Sequence, residues 1–298
     1  MNEIFIFNVA KLAVKSMINA ASVYPKPGLV TPLDNDALDG TDYPCFVDGA
    51  MSLFQSFVNC ASAGIETENL KPDDAFTILQ GGAKVGADDV LRATRGRLSM
   101  RGYVLCMGLL CSAAGRLTAQ KRILTPGALT LTASSFVQGI IERELWPVED
   151  AGGGRNLTAG VRAYLSYGLE GCRGEAEHGY TQTLRAVEVM RRLDATQGQL
   201  NFREKLTHTL IEIMTANDDT CIAAHAGISG LLKVQDEAKS ALNAGGMTTS
   251  AGIDAVFEMD KELRTRGISP RGSAVILACA MFIPELGRLR LTRSGYDE

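Results

Sequence analysis

The feature of this 298-residue chain that most constrains its fold is the helical spacing of apolar residues between clusters of glycine and proline. Leu206 and Leu210, for example, are four residues apart, which places their side chains on one face of an α-helix. Alternation with a period of two, typical of half-buried strands, is rare. Glycine and proline clusters such as 25–28 and 171–179 mark the connections. The pattern predicts an all-α fold, a single globular multi-helix bundle with Gly-rich connecting loops over residues 1–298.

Charge and hydropathy indicate which partners to expect. The formal net charge is −4, and no run of Lys and Arg offers the basic stripe that nucleic acid requires, so we expect no nucleic-acid partner. The most apolar runs, 104–114 and 274–284, are about 11 residues long, whereas a membrane span needs roughly 20. The seven cysteines form no CxxC pair and lie mostly among apolar residues, which is typical of reduced thiols. We expect a cytoplasmic protein without membrane contact, and a homodimer is left open.

Two polar segments in the first third of the chain are candidates for ligand contacts. In Pro25-Lys26-Pro27-Gly28 the prolines hold Lys26 on a stiff turn, either as a solvated residue after a helix or as a cation positioned for phosphate. Asp89 and Arg92 are three residues apart and share a helix face. Because acids near a helix start also complement the helix dipole, the Asp88-Asp89 pair indicates either the start of a helix or part of a ligand site.

The segment 171–179 is the most unusual in the chain because it combines three glycines with an arginine and two glutamates. The glycines argue against a regular helix. In an extended or turning backbone Arg173, Glu175 and Glu177 would alternate onto one face, an arrangement suited to magnesium and phosphate. The alternative is a solvated charged loop.

Two further segments adjoin apolar helices near the C-terminal end. Asp219 follows the apolar helix at 206–216 and either caps the next helix or supplies another carboxylate. Ser269 and Ser273 belong to a turn that leads into an apolar helix. Such a turn binds phosphate through free N–H groups, or Ser273 simply caps the helix.

Taken in order, these segments and their neighbours resemble the triphosphoribosyl-dephospho-CoA synthase family from about residue 10 to about residue 285. The matching stretches are PKPGLV at 25–30, LRAT at 91–94, MGLLCSAAGRL at 107–117, LTAG at 157–160, RAYLSYGLEGCRGEAEHGY at 162–180, DT at 219–220 and ISPRGSA at 268–274. Ordered matches over nearly the whole chain are specific, whereas a lone PKPG would not be.

The resemblance implies an all-α transferase that uses ATP and 3'-dephospho-CoA. The 2'-hydroxyl of dephospho-CoA attacks C1' of the ATP ribose and adenine leaves, through a transition state with oxocarbenium character. The product is the precursor of the prosthetic group on the acyl carrier subunit of citrate lyase or malonate decarboxylase. The resemblance implies substrate binding by Lys26, Arg92, Arg101, Arg173, Ser269 and Ser273, catalysis by Asp89, Glu175 and Glu177, and Mg²⁺ binding by Asp219, Glu175 and Glu177.

Several polar positions of the family pattern differ in this chain. Leu38, Met100, Cys221 and Val275 stand where the family has two histidines, an asparagine and an aspartate, and Arg101 replaces a lysine. These differences leave a second function open, a diverged non-catalytic relative that binds a nucleotide or CoA-like ligand. The third hypothesis is a helical protein with a purely structural role.

Overall fold

The computed structural model describes residues 2–33, 41–150, 157–196 and 200–291. These residues form fifteen α-helices and one 3-10 turn and contain no β-strand, so the all-α prediction is confirmed. In chain order the helices are α1 (Asn2–Ala21), α2 (Tyr43–Ser52), α3 (Phe54–Glu66), α4 (Pro72–Ala93), α5 (Arg101–Ala119), α6 (Pro126–Phe136), α7 (Ile140–Glu144), α8 (Trp146–Asp150), α9 (Ala159–Tyr167), α10 (Gly171–Glu177), α11 (Thr181–Thr196), α12 (Phe202–Met214), α13 (Thr220–Asn243), α14 (Ser250–Thr265) and α15 (Arg271–Leu291).

Helix α5 lies at the centre of the fold because almost all of its side chains are apolar or small. Fourteen of its residues are buried, and it packs against α1, α3, α4, α6 and α15. Glycine permits the closest of these contacts: a Cβ on Gly64 would lie 2.0 Å from a carbonyl oxygen of α5, and one on Gly115 would lie 2.1 Å from a carbonyl oxygen of α3. The two backbones therefore touch, and a larger residue at either glycine would force them apart.

The two ends of the described chain meet, because α1 packs against α15. Helix α15 also packs against α11 and α12, and α12 packs against α13. The prediction of one domain over residues 1–298 stays a prediction.

Three helices are long and apolar enough to cross a membrane, judged by length and composition: Glu3–Ala21, Arg101–Ala119 and Arg271–Leu289. The expectation that the apolar runs are too short is therefore wrong, because each run continues as helix beyond both of its ends and the longer window stays apolar on average. Within the fold, 78% of the second apolar window and 67% of the third are buried. The expectation of no membrane contact stays a prediction.

The Asp88-Asp89 pair lies near the end of α4 and not at a helix start, so that prediction is wrong. Helix α4 begins at Pro72 and has its own two acidic residues in the first turn. It continues through the glycines at 81–82 because it packs on α2 and α3, and this packing outweighs the intrinsic cost of glycine in a helix.

Candidate active site

A cavity of about 880 Å³ opens beside the turn that carries Lys26, among α4, α5, α9, α10, α13 and α15. Its volume is within the range of about 300–1,000 Å³ that is typical of small-molecule sites. The basic side chains that line it are Lys26, Lys84, Arg101, Arg173 and Arg271. The acidic ones are Asp88, Glu144 and Glu170. Among the described residues the lining is therefore net positive, which favours an anionic ligand.

Four helices begin at this cavity. The first residues of α5, α9, α13 and α15 all line it, and these ends carry backbone N–H groups without partners inside the helix. The start of α5 is the most open, because its N-cap residue Met100 makes no side-chain cap and the helix has no acid in its first turn. Helix N-termini attract anions through these N–H groups and the helix dipole. The backbone thus reinforces the positive charge of the basic side chains.

Lys26 lies at the cavity but is almost closed off from solvent, with 3% of its surface exposed. Its ammonium has no hydrogen-bond or ion-pair partner among the described residues. Burial lowers the pKa of Lys26 from 10.5 to about 7, because a buried charge loses its hydration. A lysine whose side chain is buried but which lines a cavity without a protein partner is positioned to bind an anionic ligand there.

The turn around Lys26 is fixed by two side chains of helix α14. The Asp260 carboxylate on α14 accepts a hydrogen bond from the Gly28 N–H at 2.8 Å, and Arg264 donates to the Leu29 carbonyl at 2.9 Å. Gly28 has a φ of +65°, and a Cβ there would lie 2.4 Å from a backbone oxygen, so only glycine fits this turn. The position of Lys26 is therefore set in advance of any ligand.

Arg173 reaches the cavity from α10, where its Nε donates to Glu144 Oε2 at 2.7 Å. The prediction that 171–179 is extended or turning is wrong, since Gly171–Glu177 is a helix. The glycines serve close packing: a Cβ on Gly174 would lie 2.4 Å from a carboxylate oxygen of Glu170. The helical twist places Glu175 on the opposite side of α10 from Arg173. Glu177 is one turn after Arg173 but bonds to the start of α7, whereas Arg173 bonds to Glu144, so the predicted cluster of all three does not form.

Glu175 and Glu177 both accept backbone hydrogen bonds at the starts of other helices. Glu175 accepts from the N–H of Gln182 at 3.2 Å and of Thr183 at 2.7 Å, in the first turn of α11. Glu177 accepts from Gly139 at 2.6 Å and from the N–H two residues later at 3.1 Å, at the start of α7. Neither glutamate lines the large cavity. Their placement is that of helix caps.

Asp219 joins the starts of two helices beneath the cavity. It is the N-cap of α13, where its Oδ1 accepts from the Cys221 N–H at 3.1 Å. Its Oδ2 accepts from the Ser273 N–H at 2.8 Å and from the Ser273 hydroxyl at 3.0 Å, in the first turn of α15. Burial raises the pKa of Asp219, and the bonds from Ser273 oppose that shift. Because α15 begins at Arg271, Ser273 is not its cap, and that alternative is wrong.

A second, small cavity of about 20 Å³ lies next to the large one and is lined by both Glu175 and Asp219. It shares Cys172, Thr220 and two residues of α15 with the large cavity. Glu175 and Asp219, two of the three predicted metal ligands, thus line the same small cavity, whereas neither of them lines the large one.

Asp89 and Arg92 form an ion pair with each other and do not line either cavity. Their neighbour Asp88 lines the large cavity instead. Arg101 and Ser269 line the large cavity as well. Of the nine residues to which the resemblance gives a catalytic or substrate-binding role, Lys26, Arg101, Arg173 and Ser269 reach it.

Sequence reasoning missed several charged residues of the lining. Arg271 lies inside the ISPRGSA stretch, and its place between the turn and the helix start was an available signal. Glu170 lies inside the matching stretch at 162–180, whereas Lys84 and Glu144 have no local pattern that distinguishes them from surface charges. Leu98, Met100, Cys221 and Val275 form part of the apolar lining, whereas Leu38 lies outside the described residues.

No group of three or more His, Cys, Asp and Glu side chains in the described part of the chain is arranged to hold a metal ion. Magnesium, however, needs only one or two carboxylates when substrate phosphates supply other ligands. Glu144 is paired with Arg173 and Glu170 with His178, each at 2.7 Å, whereas Asp88 has no ion-pair partner among the described residues. The lining therefore fits magnesium that arrives with a nucleotide, and Asp88 is the carboxylate free to share it.

The fold and the large cavity define an all-helical protein suited to bind a polyanionic small molecule. The chain belongs to the ATP:dephospho-CoA triphosphoribosyl transferase family, which it matches over residues 6–294. It is 32% identical over 276 residues to the 2-(5''-triphosphoribosyl)-3'-dephosphocoenzyme-A synthase of Klebsiella pneumoniae, covering 92% of this chain and 89% of the relative.

A second relative, from Citrobacter koseri (strain ATCC BAA-895 / CDC 4225-83 / SGSC4696), carries the name "Probable 2-(5''-triphosphoribosyl)-3'-dephosphocoenzyme-A synthase". It is 31% identical over 280 residues, which cover 94% of this chain and 91% of that relative. No solved structure matches the chain.

Proposed function

We propose that this protein forms 2'-(5''-triphosphoribosyl)-3'-dephospho-CoA from ATP and 3'-dephospho-CoA and releases adenine. The observation that carries the proposal is the convergence of basic side chains and four helix starts, that of α5 uncapped, on one cavity large enough for a nucleotide. The two relatives carry the name of this synthase and align with nearly the whole chain. The product would serve as precursor of the prosthetic group of citrate lyase or malonate decarboxylase.

The triphosphate of ATP binds where the positive charge is concentrated. Lys26, Arg101 and Arg271 each line the cavity, and the first turn of α5 offers N–H groups beside Arg101. Arginine forms paired hydrogen bonds with phosphate oxygens, and backbone N–H groups add bonds that need no side-chain ordering. Ser269 supplies a hydroxyl on the same lining.

The transfer breaks the bond from C1' of the ATP ribose to adenine and forms a bond from C1' to the 2'-oxygen of dephospho-CoA. Glu170 lines the cavity and is the carboxylate that would accept the 2'-hydroxyl proton, because its partner His178, 2.7 Å away and exposed to solvent, can pass that proton on to water. The departing adenine takes up a proton from solvent, and Glu170 returns the hydroxyl proton to solvent through His178, which balances the reaction. Carboxylates of the lining also stabilise the positive charge that develops at C1'.

Magnesium, when bound with ATP, neutralises part of the triphosphate charge. Asp88 is the side chain that would hold it together with phosphate oxygens. Glu175, Glu177 and Asp219 enter the proposal as residues that cap helices and so orient the lining. The predicted roles of Asp89, Arg92 and Ser273 in contact with substrate stay predictions. A cytoplasmic location and a homodimer also remain expectations.

The direct test is to mix the protein with ATP, 3'-dephospho-CoA and MgCl₂ and to measure adenine by chromatography. We expect adenine and triphosphoribosyl-dephospho-CoA to form in equal amounts. Arg101→Ala should lower kcat/KM by about tenfold or more, because a hydrogen bond to a charged group contributes about 1.5–3 kcal/mol. Arg191→Ala is the matched control, since Arg191 is exposed on α11 and pairs only with Glu188 among the described residues.

The Klebsiella pneumoniae relative should be run in parallel. If that relative releases adenine and this protein does not, the transferase proposal is wrong. Binding of dephospho-CoA without adenine release would support the non-catalytic alternative, which the comparisons do not favour. Absence of binding to either nucleotide would leave only a structural role.

A further inference from the structure

Lys26 forms no ion pair with any other residue that the structure describes. The cavity carboxylates are engaged elsewhere or exposed: Glu144 bonds to Arg173 and Glu170 bonds to His178. Asp260 holds the same turn but bonds to the Gly28 N–H and to Arg264, not to the lysine. No described side chain therefore offers Lys26 a counter-charge, and a charged lysine buried in this way is costly.

The surroundings of Lys26 also contain more positive than negative charge. The charged side chains that line the cavity or hold the turn are Lys84 and Asp88 of α4, Arg101 of α5, Glu144 of α7, Arg173 of α10 and Glu170 before it, Asp260 and Arg264 of α14, and Arg271 of α15. Several of these basic groups and the starts of four helices raise the electrostatic potential of the cavity. The negative charge of a ligand would therefore supply the counter-charge that Lys26 lacks in the described fold.

We propose that Lys26, which is buried at the cavity wall without a protein counter-charge, is a proton-linked anion receptor: when a phosphate ligand enters the cavity at mildly alkaline pH, a solvent proton converts the neutral fraction of Lys26 to the ammonium form. The step forms one N–H bond on Nζ, and the proton comes from water or buffer. The inference rests on the proposed function only in taking a phosphate as the ligand. Loss of the proton removes the cost of burying an unpaired charge in the free protein, and its return provides a cation for the triphosphate.

The direction of the pH dependence follows from the burial of Lys26. Its pKa of about 7 in the free protein leaves most of the population neutral at pH 8. A phosphate beside Nζ favours the charged form and raises the pKa again. Above pH 7, ligand binding therefore takes up a proton, and affinity falls by up to about tenfold per pH unit. Below pH 7 the lysine is already charged and this dependence disappears.

Calorimetry with inorganic triphosphate at about pH 8 tests the inference. Titrations in two buffers with different ionisation enthalpies give the number of protons taken up on binding. We expect the wild-type protein to take up about 0.9 proton more than Lys26→Arg, because a group with a pKa of about 7 is about 90% neutral at pH 8. Arginine stays charged throughout, so the difference removes the protons exchanged by the triphosphate itself.

The outcomes separate this inference from the proposed function. Equal proton uptake by wild type and Lys26→Arg, with both binding, would overturn the inference even if adenine is released. The expected uptake without adenine release would keep the receptor and reject the transferase. Absence of triphosphate binding to the folded wild type would overturn the inference as well.

A second measurement needs no active variant. In protein with ¹³C-labelled lysine, the Cε signal that is missing in Lys26→Met should titrate near neutral pH in the free wild type. With saturating triphosphate that signal should keep its charged position up to about pH 9. A Cε signal that titrates near pH 10 in the free protein would contradict the inference.

Discussion

At the scale of single residues, the burial of Lys26 lowers the stability of the folded protein while it places a cation at the ligand cavity. It is 3% exposed, and burial rather than any charged neighbour lowers its pKa to about 7. In the unfolded chain the same lysine is solvated and keeps an ordinary pKa near 10.5. Below pH 7 both states are charged and the folded state carries the full cost of burying the charge.

Replacing Lys26 by Met should therefore stabilise the protein. The unfolded wild type binds more protons than the folded form between pH 7 and 10.5, so wild-type stability rises with pH across that window. The free energy of unfolding of Lys26→Met should exceed that of the wild type by roughly 2–5 kcal/mol at pH 6, and this difference should shrink towards pH 10. Urea denaturation at both pH values measures it, and triphosphate binding should be lost. A variant less stable than wild type at pH 6 would show that Lys26 has a structural partner.

Single residues also show how far the sequence alone predicts the site. Lys26 and Arg173 both line the cavity, because a turn held by α14 places the first and helix α10 places the second. Glu175 and Glu177 do not, because a carboxylate that caps a helix and one that lines a cavity look alike in a sequence. Only tertiary structure shows that the N–H groups they accept from belong to α11 and α7.

At the scale of helices, the site is assembled from helix ends. Asp219 holds the start of α13 and the start of α15 with one buried carboxylate, which accepts from Cys221 and twice from Ser273. Both helix starts line the large cavity. The spacing of these two helices, and with it the shape of the lining, depends on the acceptor capacity of both oxygens of Asp219.

Asp219→Asn should be destabilising although the side chain keeps its shape. An amide has one oxygen, so one of the two backbone N–H groups now faces an NH₂ group and loses its acceptor. The loss should be about 1–3 kcal/mol in urea denaturation. Asp236→Asn is the control, since the Asp236 side chain is 74% exposed and Lys239 is its only ion-pair partner among the described residues. Equal, small losses in both variants would show that the double cap contributes little.

Helix positions were predictable where packing and local pattern agree. The central α5 and the long α15 follow from their apolar periodicity, although both extend beyond the runs visible in the sequence. The course of α4 through 81–82 and of α10 through its glycines was not predictable, because contacts with other helices decide both. Intrinsic propensity is a weak guide where tertiary packing opposes it.

At the scale of the whole molecule, the fold gathers charge from distant parts of the sequence. The turn at Lys26, the start of α5 and the start of α15 are separated by tens to hundreds of residues, yet they line one cavity. An all-α class follows from periodicity, whereas this convergence depends on the packing of α1, α5 and α15 in the core. The sequence could therefore indicate the class of the fold but not which helix starts meet.

The central claim is that the large cavity binds the triphosphate of the donor. A crystal structure of the protein with ATP and magnesium tests it most directly. We expect phosphate oxygens within hydrogen-bond distance of Lys26 Nζ, the Arg101 guanidinium and the first-turn N–H groups of α5, about 2.7–3.2 Å away. A triphosphate bound at another surface, such as the Asp89–Arg92 face of α4, with no nucleotide in the cavity, would contradict the account.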